Sequence, residues 1–351
     1  MVGLVMLTLV PGEVGGSETY ARGLARALAD RGEVDVKALV PPAAPDAGDG
    51  LPTQLVAEYG APAAGRRKLL AMTRAAVRPG PLRRRIGALD AVHYPFTVAL
   101  PRLDVASAVT LHDTQHLDLP HLFSRAERAY RALAYHRSAR AARLVIVPSA
   151  FVRDRVVAGL RIPPDRIRVI HLGVDHSRFS PAAERREPFL VYPAKPWPHK
   201  NHLRLLEAFA VVRRERPELR LVLTGGGSFH HVPEGVEIKG LVSVDELVSL
   251  YRRASALVFP SLYEGFGLPP LEAMACGTPV AVARAGSLPE VCDDAARFFD
   301  PASPAEIAAA VRDVLDAPDE WSRRGLDHAA RYSWDACAAA HEDVYRELLA
   351  A

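Results

Sequence analysis

The sequence predicts an α/β protein built from two domains that each contain a parallel sheet. Short all-apolar runs alternate with amphipathic helical stretches, which is typical of parallel strands joined by crossover helices. The alternation occurs once before about residue 165 and again after about residue 187. The length of 351 residues agrees with two domains, since one domain commonly has ~100–200 residues.

The predicted elements follow one another in the same order in both halves. In the first half, an apolar run at 3–10 precedes a helical stretch at 17–31, and a run at 144–147 precedes a helical stretch at 150–159. In the second half, the apolar runs and helical stretches lie at 219–223, 244–254, 257–259, 270–275 and 279–282.

The boundary between the two domains is marked by a polar segment. Residues 174–188 lie between the prolines at 163–164 and Pro188, and they contain no long apolar run. Such composition is typical of an interdomain linker. We therefore predict a first domain at 1–173 and a second at 189–332.

The composition limits the classes of protein to which this chain could belong. Hydrophobic residues make up 49% and charged residues 24%, as in globular chains, and the net charge of +3 gives no reason to expect a nucleic-acid partner. Cys276, Cys292 and Cys337 show no CxxC spacing, so we expect reduced thiols in a cytoplasmic protein. No apolar run reaches the ~20 residues of a membrane span. The apolar start lacks a basic flank and runs directly into Pro11 and Gly12, which indicates a buried strand and not a signal peptide.

One segment of the first half is strongly basic. Residues 65–89 contain eight Lys and Arg side chains interleaved with apolar ones. Such a surface suits an anionic lipid or an acidic acceptor, which would make the protein peripheral at the inner face of a membrane. Proline and glycine at 79–81 interrupt any single helix there, so a solvated charged face is the alternative.

The first strand-to-helix turn is rich in glycine. Gly15 and Gly16 stand between the opening strand and the following helix, where backbone N–H groups can approach an anion such as phosphate. In the alternative interpretation, Ser17 caps the helix and the glycines only turn the chain. The spacing does not fit GxGxxG, and the sequence has no P-loop motif, so a nicotinamide cofactor and a P-loop are both disfavoured.

Two lysines and a second glycine-rich turn open the second domain. Lys195 and Lys200 lie between a strand and a helix, and two cations there can neutralise a diphosphate. Ordinary surface lysines are the alternative. The turn at 224–228 reads Thr-Gly-Gly-Gly-Ser, and the backbone at Gly225 is a second place for a nucleotide to approach.

Two glutamates and a histidine complete the candidate residues. Glu264 stands on a glycine-rich loop after a strand, and Glu272 lies on the helix that follows. A carboxylate can accept hydrogen bonds from two neighbouring sugar hydroxyls. The pair could instead be the acid and nucleophile of a glycosidase, or glutamates that favour a helix N-terminus. His112 ends an apolar run, where it is either a cleft residue or an ordinary structural histidine.

Together these segments resemble a known family. EGFGLPPLEAMACGTPV, which spans Glu264 and Glu272, strongly resembles the retaining nucleotide-sugar glycosyltransferases of family 4, which have the GT-B fold. The other motifs follow in the family's order, namely GGSE at 15–18, His-Asp at 112–113, Lys-Asn at 200–201 and Gly-Leu at 240–241. The resemblance implies two facing Rossmann-like domains with a cleft between them, the acceptor held by the first domain and the donor by the second. It also implies a C-terminal helix, within 333–351, that crosses back to the first domain.

The resemblance implies a role for each matching residue. Glu272 would hold the nucleotide ribose, while Glu264 and His112 would contact the donor sugar. Lys200 and Lys195 would bind the diphosphate. The family usually has Arg where this chain has Lys195, so the charge is kept and the bidentate geometry is lost. Further donor contacts would come from Gly15, Gly16, Ser149, Leu241, Phe266, Gly267 and Leu268.

The predicted activity is retaining transfer of a hexose from a nucleoside diphosphate sugar to a hydroxyl acceptor. The motif variants favour GDP-mannose, with UDP-sugars as the alternative, and the acceptor could be a glycan, a lipid-linked sugar or a small molecule that touches Asp113 and His116. No cofactor is expected, because the sequence has no DxD in a plausible donor loop and no His/Cys cluster with metal-ligand spacing, and the resemblance implies metal independence. A metal held by His199 and His202 is the alternative. The alternatives are a nucleotide-sugar epimerase or hydrolase on the same fold, a non-catalytic sugar-nucleotide or lipid-binding protein, and an oxidoreductase.

Overall fold

The chain folds into two units. A computed structural model describes residues 1–13, 15–57, 86–227 and 232–350. The first unit comprises Met1–Gly173 together with Trp334–Ala351, and the second comprises Val174–Ser333. Of the basic segment predicted at 65–89, residues 65–85 lie outside the described part of the chain.

The first unit contains a parallel sheet. Its described strands are β1 (Val2–Val5), β2 (Val36–Val40), β3 (Thr53–Leu55), β4 (Ala91–Tyr94), β5 (Ala106–Thr110), β6 (Leu144–Val147) and β7 (Ile167–Val169). They lie in the order β3-β2-β1-β4-β5-β6-β7, and every neighbouring pair is parallel. The first six strands have the order of a dinucleotide-binding Rossmann fold. Strands β1, β4 and β6 are buried at every position, as expected where helices cover both faces of a sheet.

Two of the described helices of the first unit begin at a serine that caps them. Described helices before the domain boundary are α1 (Gly16–Arg31), α2 (Gln115–Asp118), α3 (Arg125–Arg131), α4 (Arg137–Ala141) and α5 (Ala150–Leu160). Ser124 caps α3 in a capping box with Glu127, and Ser149 caps α5. A π-helical segment, Ala132–His136, joins α3 to α4.

The second unit repeats the same sheet design. Its described strands are β8 (Glu187–Pro193), β9 (Arg220–Thr224), β10 (Val236–Gly240), β11 (Ala254–Phe259), β12 (Val280–Ala283) and β13 (Arg297–Phe299). They lie in the order β10-β9-β8-β11-β12-β13, again with parallel neighbours. The described helices are α6 (His202–Glu215), α7 (Val244–Arg253), α8 (Leu268–Ala275), α9 (Leu288–Cys292), α10 (Pro304–Asp316) and α11 (Pro318–Ala329).

The predicted linker packs within the second unit. The backbone N–H of Val174 donates to the carbonyl of Tyr332 at 3.2 Å. Farther along the segment, Nε of Arg252 on α7 donates to the carbonyl of Ser180 at 2.7 Å. The second unit therefore begins earlier than predicted, because the polar segment that resembles a linker is hydrogen-bonded to the unit's own helices.

The last helix, α12 (Trp334–Leu349), belongs to the first unit although the chain reaches it from the second. It packs against α1 and lies beside β4 and β5. One face of α12 is buried, and it carries Cys337, Ala338, His341, Glu342, Val344, Tyr345 and Leu348. The helix therefore crosses back to the first unit, as the resemblance implies.

Two expectations from composition can be compared with the structure. Cys276, Cys292 and Cys337 are buried and free of disulfides, which confirms the expected reduced thiols. Burial raises the pKa of the Cys276 thiol to about 12, so this group is an unreactive part of the core. Within the described ranges, no helix has both the length and the apolar composition needed to cross a membrane.

Candidate functional site

Two loops of the second unit meet where its strand order reverses. Strands β8 and β11 are neighbours, and the loops after them carry Lys200 and Glu264. The carboxyl ends of strands at such a switch point are the usual ligand site of an open parallel sheet. Nζ of Lys200 donates to Oε1 of Glu264 at 2.6 Å, and the two side chains are only 15% and 14% exposed. The structure thus brings these two predicted residues into direct contact.

The lysine loop is fixed through its backbone. The hydroxyl of Tyr192 donates to the carbonyl of Lys200 at 2.7 Å. The next residue, Asn201, has a left-handed φ of 60°, which asparagine tolerates better than most residues. Its Nδ2 donates to the carbonyls of Pro260 at 3.0 Å and Pro301 at 2.8 Å. These bonds hold the Lys200 loop against the loop that follows β11.

The loop carrying Glu264 is held by two residues that the sequence analysis did not identify. The backbone N–H of Ser287 donates to the carbonyl of Glu264 at 3.1 Å, and its hydroxyl donates to that of Phe266 at 2.7 Å. Gly286 has φ +60°, and a Cβ there would lie 2.6 Å from the Glu264 carbonyl oxygen. Only glycine permits this approach. The sequence signal that could have indicated this contact with the Glu264 loop is a Gly-Ser pair directly before a helix.

The segment after Glu264 forms the start of α8. Gly267 has φ +107°, and a Cβ at this position would lie 2.7 Å from Cδ2 of Leu288. Phe266 and Leu268 are 6% and 8% exposed. Pro269 and Pro270 have no N–H, so Gly267 and Leu268 carry the backbone N–H groups that are open to an anion at this helix end, where the dipole favours one.

Glu272 lies deeper in α8 and is 8% exposed. Its carboxylate accepts a long hydrogen bond of 3.5 Å from the hydroxyl of Tyr251. Burial raises the pKa of Glu272 to about 7, and the Tyr251 bond opposes that rise. Glu264 is paired with a cation, whereas Glu272 is close to half protonated at neutral pH. The two glutamates therefore differ in partner, which is a lysine ammonium for Glu264 and a tyrosine hydroxyl for Glu272.

The glycine-rich turn after β9 lies beside the Lys195 loop. The N–H of Gly225 donates to the carbonyl of Gly240 at 2.9 Å. A Cβ on Gly225 would lie 2.9 Å from the backbone nitrogen of Lys195, and one on Gly226 would lie 3.1 Å from Cγ of Leu241. Leu241 is 76% exposed, which is unusual for a leucine. The structure thus places Lys195, Gly225 and Leu241 on adjoining loops, with an apolar side chain open to a planar ligand.

In the first unit, Gly15 and Gly16 form the start of α1. Gly15 is the cap residue, with φ 55°, so the alternative in which Ser17 caps the helix is wrong. No atom of the described structure lies within 4 Å of a Cβ built on either glycine. Oε2 of Glu18 accepts from the N–H of Gly12 at 2.8 Å, which closes the turn ahead of the helix. The N-terminal end of α1 is therefore open around both glycines.

His112 follows β5 and contacts Pro95 after β4 and Tyr20 on α1. Its Nε2 lies 2.7 Å from the carbonyl of Pro95, which can only accept, so Nε2 carries the proton. The ring meets Tyr20 edge-on at 5.1 Å, and the Tyr20 hydroxyl bonds Oγ1 of Thr110 at 2.9 Å and Nε2 of His341 at 2.7 Å. Burial lowers the pKa of His112. The imidazole is thus neutral, and its Nδ1 is an acceptor.

Ser149 is fully buried, and the structure gives it a helix-capping contact. Its Oγ accepts from the N–H of Val152 at 3.2 Å at the start of α5. Its predicted contact with the donor stays a prediction. His199 and His202 lie beside the lysine loop, and burial lowers the pKa of His202 to about 4. Among the residues that the structure describes, no group of three or more His, Cys, Asp or Glu side chains is placed to hold a metal ion.

Two family models together match residues 14–331 of the chain. Residues 14–178 match the model described as Glycosyltransferase Family 4, and residues 174–331 match the one described as Glycosyl transferases group 1. The two matches meet at the boundary between the two units.

Curated relatives carry glycosyltransferase names. The chain is 30% identical to O-antigen chain mannosyltransferase B of Escherichia coli, over 74% of this chain and 75% of that protein. It is 36% identical to the MMP alpha-(1->4)-mannosyltransferase of Mycolicibacterium hassiacum, over 59% of this chain and 54% of that one. The chain is 33% identical to a D-inositol 3-phosphate glycosyltransferase of Streptomyces scabiei, over 62% of this chain and 57% of that protein. The matches thus span three quarters of the first relative and little more than half of the other two.

Solved structures share the fold over the whole chain. Sucrose-phosphate synthase from Thermosynechococcus elongatus superposes with a TM-score of 0.81 at 20% identity, covering 99% of both chains. Anabaena HepE in complex with UDP-glucose superposes with a TM-score of 0.74 at 16% identity, covering 99% of this chain and 100% of that one. At such identities the likeness concerns the fold alone.

Proposed function

Because the chain belongs to glycosyltransferase family 4 and is a glycosyltransferase, we propose that it moves a hexose from a nucleoside diphosphate sugar to a hydroxyl acceptor. We propose further that the transfer retains the anomeric configuration and needs no metal ion. The observation that carries the proposal is the nearly buried pair of Lys200 and Glu264 at the switch point between β8 and β11.

The pair has both signs of charge that the reaction requires. When the sugar–phosphate bond breaks, negative charge gathers on the leaving diphosphate and positive charge on the anomeric carbon. Lys200 and Lys195 supply cations for the diphosphate, and Glu264 supplies a carboxylate for the sugar. A bound diphosphate would take over Lys200 and release Glu264 towards the sugar hydroxyls. Fixed cations of this kind do the work that a metal ion does in other transferases.

The remaining predicted residues have geometries that suit their roles. Glu272 would accept hydrogen bonds from the ribose hydroxyls, which favour the ionised carboxylate over the protonated one. Exposed Leu241 would lie against the base. His112 would contact the donor sugar as a neutral imidazole, with Nδ1 accepting from a sugar hydroxyl. In the acceptor step, the leaving phosphate would take the acceptor's proton as the new glycosidic bond forms on the same face.

GDP-mannose is the first donor to test and UDP-glucose the second. Two of the relatives are named as mannosyltransferases, which supports a mannose donor. The Anabaena structure of similar fold was solved with UDP-glucose, which supports the alternative. The acceptor, by the same reasoning, is a hydroxyl of a sugar or of a sugar-like alcohol.

The test combines donor binding with turnover. We expect one sugar nucleotide to raise the melting temperature of the full chain, with no change on adding EDTA. Lys200→Met and Glu264→Gln should each lower kcat/KM by about 100-fold or more, measured as transfer to a panel of simple glycosides and as donor hydrolysis without acceptor.

Matched controls come from an exposed ion pair of the same unit. Arg312 and Glu215 are bonded at 2.7 Å and are 33% and 52% exposed, so Arg312→Met and Glu215→Gln should leave turnover unchanged. Wild-type turnover in folded Lys200→Met and Glu264→Gln would contradict the proposed site. Donor breakdown at one rate with and without every acceptor would indicate a hydrolase.

A further inference from the structure

A cavity of about 570 Å³ lies in the first unit, apart from all the donor-site candidates. Its polar side chains are His116 on α2 and Arg125 and Arg128 on α3, and the rest of its lining is apolar. We call these three residues with their cavity the arginine pocket. Its volume is within the range of ~300–1,000 Å³ that holds small ligands.

The two arginines of the pocket have no counter-ion within the described part of the chain. Among the described residues, the side chains of Arg125 and Arg128 form no ion pair and no hydrogen bond. The nearby carboxylates are engaged elsewhere, with Asp113 3.5 Å from Arg131, Asp118 bonded to Arg155, and Glu127 accepting from the amide and hydroxyl of Ser124. Arg125 and Arg128, both exposed, thus line one cavity, and neither pairs with a carboxylate of the described residues.

One ring nitrogen of the pocket's histidine has no hydrogen-bond partner in the described structure. His116 is 3% exposed, its Nε2 lies 3.0 Å from Nε2 of His136, and its Nδ1 has no partner in the described structure. Burial, reinforced by His136 and Arg131, lowers the pKa of His116 to about 4, so the ring is neutral. When His136 donates to Nε2, the proton of His116 is on Nδ1. A buried donor left without a partner carries a desolvation cost, which a hydrogen bond to a ligand oxygen would remove.

The backbone around the pocket is irregular in a way that brings the two histidines together. His136 is the last residue of the π-helical segment Ala132–His136, which continues directly from α3. Single π-helical turns are rare and occur frequently at functional sites. Here the widened turn carries the histidine whose Nε2 reaches His116.

We propose that the arginine pocket binds the phosphate group of an anionic acceptor. Guanidinium groups bind phosphate oxygens through paired N–H donors, and a neutral imidazole N–H supplies a third donor. That the ligand is the acceptor rests on the proposed function; that it is a phosphate rests on the pocket alone. His116 is carried by the segment that leaves β5 through His112, so the phosphate would be held on the element that also carries a candidate catalytic residue. The same chemistry occurs in a soluble sugar phosphate and in a phospholipid headgroup.

The experiment measures anion binding to the full chain directly. By calorimetry, we expect inorganic phosphate and mannose 6-phosphate to bind the wild type, and mannose not to bind. The double variant Arg125→Ala/Arg128→Ala should weaken the Kd of mannose 6-phosphate at least tenfold, and Arg125→Lys/Arg128→Lys should fall between the two. Each titration is repeated in Lys200→Met, so that phosphate held in the donor site is recognised.

The matched control is Arg143→Ala. Arg143 is an exposed arginine of the same unit outside the pocket, so its removal takes away half the positive charge that the double variant loses and should leave the Kd unchanged. Equal phosphate affinity in the wild type and the double alanine variant, with both folded, would overturn the proposal.

A second arm separates the two sources of phosphate. Vesicles of phosphatidylglycerol and of phosphatidylcholine are sedimented with each protein. Binding to the anionic vesicles alone, lost in the double variant, identifies a lipid headgroup; binding of mannose 6-phosphate without vesicle binding identifies a soluble acceptor. Phosphate binding without glycosyl transfer from any donor would contradict the proposed function and leave the pocket standing. Transfer without phosphate binding would do the reverse.

Discussion

Glu272 is a carboxyl group that the folded protein buries at a cost. Its pKa is about 7 in the fold, against 4.5 for an unperturbed glutamate. Between these two values the folded state binds more protons than the unfolded state, so this group's contribution makes the protein less stable as pH rises from 4.5 to 7. The total loss is about 3 kcal/mol above pH 7, at 1.36 kcal/mol per pKa unit. A ribose diol that donates to the ionised carboxylate would offset this cost when the donor binds.

Glu272→Gln should therefore stabilise the ligand-free protein at high pH only. Urea unfolding is expected to show a gain of about 1–3 kcal/mol at pH 8 and almost none at pH 4.5, because the wild-type group is then largely protonated. The same variant should bind the sugar nucleotide more weakly. Glu207→Gln, at an exposed position of α6, is the control and should change neither quantity. An equal change at both pH values would show that the pKa of Glu272 is not raised.

Among the secondary structure elements, α1 is one of those that hold the C-terminal helix α12 in the first unit. Gly23 of α1 lies against the indole ring of Trp334 at the start of α12, where a Cβ would be 2.5 Å from the ring. In an isolated helix, alanine is about 1 kcal/mol more favourable than glycine. At Gly23, the close approach of α1 to α12 outweighs the helix propensity that would favour alanine.

Gly23→Ala should destabilise the protein despite its better helix propensity. We expect a loss of about 1–3 kcal/mol in urea unfolding, as for an overpacked core position. In a Trp334→Leu background, the ring is gone and the same substitution should cost much less or become favourable. This double-mutant cycle isolates the contact. A gain in stability from Gly23→Ala alone would show that α12 does not pack closely at this point.

Strands with an unbroken apolar run and helices with a full amphipathic pattern were predictable from the sequence. The strand at 144–147 has the observed bounds, and the helix predicted at 150–159 is observed at Ala150–Leu160. The opening strand was predicted over 3–10 and ends at Val5, because apolar residues continue into a buried loop. Strand β10 was missed, since an edge strand with half-exposed Glu and Lys has no apolar run.

The residues of the candidate site were predictable where they belong to a short sequence motif. Lys200 and Glu264 were identified, and they are in contact, although their donor roles stay predictions. Tyr251, Gly286 and Ser287 were missed because they act from other elements, far along the chain. Such non-local contacts leave no periodic pattern in a single sequence.

The sheets of both units have the same strand order. The first unit is completed by the last helix of the chain, α12. The predicted fold class, two Rossmann-like units of the GT-B type with a C-terminal helix that crosses back, is confirmed. His341 and Tyr345 of α12 bond Tyr20 and His93 at 2.7 and 2.8 Å. All four side chains are fully buried. The network therefore joins both ends of a discontinuous unit.

Truncation of the chain after Ser333 should destabilise the first unit selectively. Loss of α12 removes its buried face, takes one of two hydrogen-bond partners from the Tyr20 hydroxyl, and leaves Nδ1 of His93 without its partner, at a cost of about 1–3 kcal/mol for an unpaired buried group. Together with the lost apolar burial, this cost rivals the 5–15 kcal/mol that a typical domain has in total. Hydrogen exchange should then be fast in β4 and β5 and remain slow in β8 and β11, whose contacts lie within the second unit. Uniformly slow exchange in both sheets would mean that the first unit is complete without α12, and uniformly fast exchange would mean that the two units unfold together.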